Sequence, residues 1–116
     1  MKALTVFQPY AWLIVKGIKP IENRTWSTRH RGPLLIHAGA KWLDGWQARA
    51  ARFGIEVPDD LPLRGIIGIV DVIGVVKQSN SPWFDGPYGW QLANPREVHH
   101  VPMRGAQGLF DTDLTF

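Results

Sequence analysis

The sequence contains no cysteine. Disulfides, thiol nucleophiles and cysteine-ligated zinc are thereby excluded, and the chain suits a reducing compartment. Histidine offers no metal site either. Of His30, His37, His99 and His100, only the last two are close in sequence, and neighbours on a strand face opposite sides. Neither a metal nor any other cofactor is expected. No serine stands in a nucleophile-elbow motif, and no glycine-rich loop has phosphate-binding spacing. No apolar run approaches the roughly 18 residues of a membrane span, and the first residues lack a signal-peptide layout. A cytoplasmic protein with no membrane partner is the expectation. Neither sign of charge dominates: 13 Lys and Arg against 10 Asp and Glu leave a formal +3, a lean towards polyanions and no more.

What the chain does have is aromatic surface, with six Trp and five Phe in 116 residues. Most are expected in a core, and a minority lining a groove could stack on a nucleobase. A hydrophobic fraction of 45% and a charged fraction of 20% are ordinary for a globular protein. The length fits one domain over residues 1–116 with a real core.

The most distinctive stretch is Gly17-Ile18-Lys19-Pro20-Ile21-Glu22-Asn23-Arg24-Thr25-Trp26. It follows an apolar segment, Pro9 to Lys16, that reads as a buried helix with Pro9 in its first turn and Gly17 as its C-terminal cap. Pro20 forces Lys19 out of helical geometry, and Ile21 to Trp26 then reads as a strand. Its alternation puts Glu22, Arg24 and Trp26 on one side, and Ile21, Asn23 and Thr25 on the other. A carboxylate and a guanidinium on one strand face, with an ammonium at the strand entrance, are the raw material of a polar cleft. A surface ion pair is the competing reading.

Elsewhere, short strands are expected at Ala3–Phe7, Leu34–Ala38, Gly65–Val76, Tyr88–Ala93, Glu97–Val101 and near Gly108–Phe110. Leu34–Ala38 is apolar on both faces and so belongs in a sheet centre. Gly68 and Gly74 mark bends or bulges in the long strand. Trp42, Trp46, Ala50 and Phe53 recur at helical spacing and predict a second helix over Lys41–Phe53, closed by Gly54. The sum is an α+β, mainly β chain: a small closed or nearly closed β-barrel with two main helices packed at its ends. Trp12, Leu13, Ile36, Trp42, Trp46, Ile69, Val72 and Leu92 are expected to be largely buried.

The order of these blocks resembles the ASCH (activating signal cointegrator homology) domain family. The resemblance rests on Gly17-x-Lys19-x-x-Glu22-x-Arg24, preceded by Gln8-Pro9-Tyr10-Ala11-Trp12 and followed by Arg31-Gly32-Pro33-Leu34-Leu35-Ile36-His37-Ala38. In the second half it rests on Gly68-x-Val70-Asp71-Val72, Tyr88-Gly89-Trp90, Asn94-Pro95-Arg96 and Gly105-x-Gln107-Gly108-Leu109-Phe110. It implies a PUA-like fold, a pseudo-barrel that serves RNA binding in relatives, with a cleft into which Lys19, Glu22 and Arg24 project.

Several functions remain open on that resemblance. The cleft could bind RNA, single-stranded nucleic acid or a nucleoside-like small molecule. Gln8, Lys19, Glu22, Arg24, Arg29, Arg31, Trp83 and Tyr88 would then be the contact residues, the basic turn at 29–31 taking phosphates. Lys19, Glu22 and Arg24 could instead be catalytic in a metal-independent hydrolase acting on RNA or on a modified nucleoside such as N4-acetylcytidine. In that amidohydrolase branch the position matching Glu22 is a threonine proposed as nucleophile; a carboxylate here would have to act as a general base on water. A third possibility is a protein-interaction module built on the aromatics around Trp83 and Tyr88.

Overall fold

A computed structural model describes residues 1–116. The chain runs β1 (Lys2–Gln8), α1 (Tyr10–Val15), β2 (Ile21–Arg24), β3 (Gly32–Trp42), α2 (Trp46–Arg52), β4 (Gly65–Val76), β5 (Tyr88–Pro102) and β6 (Leu109–Asp111). The strands form one sheet in the order β2-β5-β4-β3-β1-β6. β1 and β3 run parallel and the other pairs antiparallel.

Hydrophobic alternation explains the position of β3. Leu34, Ile36 and Ala38 enter the main core with Leu4, Val6, Val70, Val72 and Trp90, while Leu35 faces a smaller cluster with Ala3, Ile66 and Ile69. A strand apolar on both faces belongs between two others, and β3 lies between β4 and β1. Helix α1 covers the main core through Ala11, Ile14 and Val15. It sits almost on the backbone of β4: a Cβ added at Gly68 would stand 2.5 Å from a Val15 methyl carbon and 2.9 Å from the Arg96 carbonyl. Gly68 is small because a helix lies on it.

Several sequence expectations need correction. The barrel does not close, because β2 and β6 are the two edges of an open sheet and do not pair with each other. The span 88–102 is one strand rather than two. Its Asn94 has φ 50°, and the pairing slips between Ile69–Arg96 and Asp71–Ala93, so a bulge absorbs Asn94 and Pro95 without ending the strand. Helix α2 starts at Trp46, since β3 continues through Trp42 and Gly45 turns the chain at φ 80°. It packs on the 81–85 loop, through Phe53 against Trp83 and Arg49 against Asp85, rather than on an end of the sheet. Trp42 and Trp46 consequently stay half-buried and touch each other in a tilted pair, ring centroids 5.1 Å apart. Trp12 is half-buried too, whereas Leu13, Ile36, Ile69, Val72 and Leu92 are core.

Candidate functional site

The end of α1 aims the first charged group. Gly17 takes φ 79°, the Ile18 N–H reaches the Leu13 carbonyl at 3.0 Å, and the Gly17 N–H reaches the Ile14 carbonyl at 3.0 Å. This is a Schellman cap, which satisfies the last carbonyls of a helix and reverses the chain. The Lys19 N–H also bonds Leu13 at 3.1 Å, so the lysine folds back under the helix. Its side chain is 1% exposed, and its ammonium lies 5.1 Å from the centroid of the Tyr10 ring.

Strand β2 supplies the other two groups from one face, as alternation requires. Lys19 Nζ donates to the Ile21 carbonyl and to Glu22 Oε1, the latter at 3.1 Å. Arg24 Nε donates to Glu22 Oε2 at 3.0 Å, and Arg24 Nη2 stands 2.9 Å from the same oxygen. The Glu22 side chain is 8% exposed. One buried carboxylate is thus held between two cations, with both its oxygens engaged. Breaking such an arrangement on one side strands a charge out of water.

Arg24 does a second thing. Its Nη2 donates to the Thr5 carbonyl at 2.7 Å, linking edge strand β2 to β1 by a side chain. Strand β6 pairs with β1 only at Lys2–Leu4, so Thr5, Val6 and Phe7 have no ladder partner on that side. The open sheet therefore curls until Arg24 bridges its seam. Nη1 of Arg24 has no protein partner, and the residue is partly exposed.

A cavity of about 280 Å³ occupies the seam. Lys19, Glu22 and Arg24 line it together with Tyr10, Asn23 and the free edge of β1 at Thr5–Phe7. Asn23 points the other way along β2 and holds the far wall. Its Oδ1 accepts from the N–H groups of Asp85 (2.8 Å) and Gly86 (3.1 Å), and its Nδ2 donates to the Trp83 carbonyl at 2.9 Å. Asp85 is fixed by Arg49 at 2.6 Å, a contact that raises the arginine pKa from its already high ordinary value. No group of three or more His, Asp or Glu side chains is placed to hold a metal ion.

The ASCH domain family model matches residues 4–101. The chain belongs to the ASCH domain family. Among curated proteins, human activating signal cointegrator 1 is 32% identical over 127 aligned residues, and the mouse protein of that name is 30% identical. Each alignment takes in 95% of this chain but 22% of the relative, so the chain spans about a fifth of the length of the curated relatives it matches. The crystal structure of ASCH from Zymomonas mobilis is 13% identical, with a TM-score of 0.58 over 94% of this chain and 85% of that one. A mutant form of the Zymomonas mobilis protein gives a TM-score of 0.60, also at 13% identity. At that identity the likeness concerns the fold.

Of the contact residues expected from sequence, this ASCH domain brings only Lys19, Glu22 and Arg24 together around the cavity. Gln8 is fully buried; it donates to the Pro62 carbonyl at 2.9 Å and accepts from the Trp12 N–H at 3.0 Å, tying a loop to α1. Arg29 and Arg31 are exposed on the β2–β3 connection, where Arg31 donates to the Thr28 and His30 carbonyls. Trp83 is 6% exposed, wedged between Tyr10 and Phe53 with Arg49 over its ring, so it offers no open stacking face. Tyr88 is half-buried beside the core with Lys77 over its ring, and it does not line the cavity. Thr5, Phe7, Tyr10 and Asn23 were missed from sequence. Only Tyr10 carried a signal, its place in the Gln8–Trp12 block.

Proposed function

We propose that this ASCH domain binds RNA or a nucleotide-like ligand in the seam cleft, with Arg24 as its principal contact. The observation carrying this reading is the state of Arg24. Glu22 and the Thr5 carbonyl lock one side of the guanidinium, and Nη1 is left with unpartnered donors at the mouth of the cavity. A planar cation held by a buried carboxylate is pre-organised to meet a phosphate or a base edge. Membership of a family in which RNA binding is the general expectation supports the same ligand class. Lys19 and Glu22 then serve as positioning residues, fixing Arg24 and the cavity floor. A cavity of about 280 Å³ is the size of a small ligand group, at the low end for a binding pocket.

The hydrolase reading has no comparable support, because each Glu22 oxygen already accepts a hydrogen bond and no other carboxylate but Asp85 lines the cavity. The interaction-module reading needs an open aromatic patch, and Trp83 is buried. The test is a titration of labelled single-stranded RNA at low salt with the wild type and Arg24→Gln, each checked for folding by circular dichroism. Saturable binding that Arg24→Gln weakens about 10-fold or more is expected. Equal binding by a folded Arg24→Gln protein would refute the assignment.

A further inference from the structure

The seam cleft does not end at Arg24. Two further depressions share Thr5 and Phe7 with it, and the larger, about 790 Å³, is lined by Arg64, Arg104, His37 and Gln107. The two ends differ in charge. Glu22 and Asp85 balance the cations at the first end, whereas no acidic residue lines the second. Arg64 and Arg104 are exposed and form neither a salt bridge nor a side-chain hydrogen bond.

These two arginines are brought together by backbone. The Met103 N–H donates to the Arg64 carbonyl at 2.9 Å, which sets Arg104 beside Arg64. The Arg64 N–H donates to the Gly39 carbonyl at 3.1 Å. Arg64 itself sits at φ 57°, a left-handed conformation that is uncommon for a residue other than glycine. The loop beyond is pinned as well. His37 Nε2 bonds the Met103 carbonyl at 2.8 Å, its Nδ1 lies 3.1 Å from Thr5 Oγ1, and a Cβ at Gly105 would stand 2.5 Å from Thr5 Oγ1. Two cations lining one depression that no carboxylate lines make it a basic surface that an anion would neutralise.

We infer that Arg64 and Arg104 form a second subsite for a phosphate, so that the ligand of this domain is a single strand of several nucleotides rather than a free nucleoside. The inference rests on the seam-cleft reading. Arg24 reaches the Thr5 carbonyl of β1, and Arg64 directly precedes β4, two sheet spacings or about 10 Å from β1, so groups held at the two arginines belong to different units of a chain. Phe7, 38% exposed and present in all three depressions, lies between the two ends with the Lys41 ammonium 5.2 Å from its ring centroid, an aromatic and cationic surface for an intervening nucleotide.

The test compares uridine 5′-monophosphate with hexauridylate by calorimetry, using the wild type, Arg64→Gly, Arg104→Gln and the double variant. Glycine at 64 relieves the left-handed backbone, so a lost affinity there does not come from unfolding. The wild type is expected to bind the hexamer about 10-fold or more tightly than the monophosphate. The double variant is expected to lose that gain and to show a salt slope shallower by about 0.7, the value for one phosphate on a single strand. A wild type that binds both ligands alike overturns the second subsite and leaves the cleft standing. Variants that keep the gain also overturn it, placing the extra contacts elsewhere. A wild type that binds neither ligand removes the cleft reading and this inference together.

Discussion

Replacing Glu22 by glutamine removes one negative charge and almost no volume. The carboxylate is 8% exposed and is the only acidic partner of an ammonium that is 1% exposed. Glu22→Gln therefore leaves Lys19 with the Ile21 carbonyl and a neutral amide, and leaves Arg24 with the Thr5 carbonyl. Stranding a buried charge costs about 3–5 kcal/mol. Arg24 is partly open to water and the amide oxygen still accepts one hydrogen bond, so the lower figure of about 3 kcal/mol applies. With 116 residues the unfolding entropy is about 0.24 kcal/mol/K, so each kcal/mol moves Tm by about 4 °C. A fall of about 12 °C is expected in a thermal melt followed by circular dichroism. Lys19→Met keeps most of the packing of the lysine stem and leaves Glu22 its arginine; about 1–2 kcal/mol, or 4–8 °C, is expected. The double variant should melt above Glu22→Gln alone, because the stranded ammonium is gone. A Glu22→Gln protein melting within about 3 °C of the wild type would show that water or motion already screens the cluster. The positioning role given to Lys19 and Glu22 would then fall.

Two further outcomes follow from packing and charge. Gly68→Ala places a methyl group against Val15 and the Arg96 carbonyl, at 2.5 and 2.9 Å. Urea unfolding should show a loss of about 2–3 kcal/mol, and Val15→Ala in the same chain should restore part of it. No change would mean that α1 does not lie on the β4 backbone. Hydrogen bonding and attraction from Lys2 hold the Asp111 carboxyl below its ordinary range. A depressed carboxylate stabilises above the unfolded-state pKa, and that contribution is lost as pH falls through the folded-state value. Lys2→Met should therefore lower stability slightly at pH 6 and leave it unchanged well below about pH 3; a loss that grows in acid would contradict the pairing.

How far the sequence revealed this site depended on distance along the chain. Lys19, Glu22 and Arg24 lie within six residues, and local rules were enough to bring them together: a glycine cap, a proline exit and strand alternation. The central place of β3 was legible from its two apolar faces. Burial of the charges was not, because Tyr10 from the preceding helix and the 83–86 loop, some 60 residues downstream, close over them. Trp83 and Gln8 misled for the same reason. An aromatic ring in a turn-rich loop and an amide before a proline look available to a ligand until distant partners consume them. The barrel was over-read, since counting strands does not reveal whether the two edges meet in a hydrogen-bonded ladder.

Non-closure is what creates the site. Had β2 paired with β1 throughout, the peptide groups of Thr5–Phe7 would be spent in a ladder and no cavity would separate the strands. Instead β6 takes only Lys2–Leu4, and a single guanidinium spans the remaining gap. That guanidinium needs a counter-charge to sit against a sheet edge, and Glu22 supplies it from the same strand face. Glu22 in turn is balanced by Lys19, which the helix cap folds underneath. The charged cluster therefore has a structural reason to be buried, and it ends in a free pair of donors. From that edge across β3, the lining becomes purely basic towards Arg64 and Arg104. A ligand that takes this path meets, in order, a braced guanidinium, an exposed phenyl ring and two unpaired arginines. That sequence of contacts matches a polyanionic strand better than a neutral nucleoside.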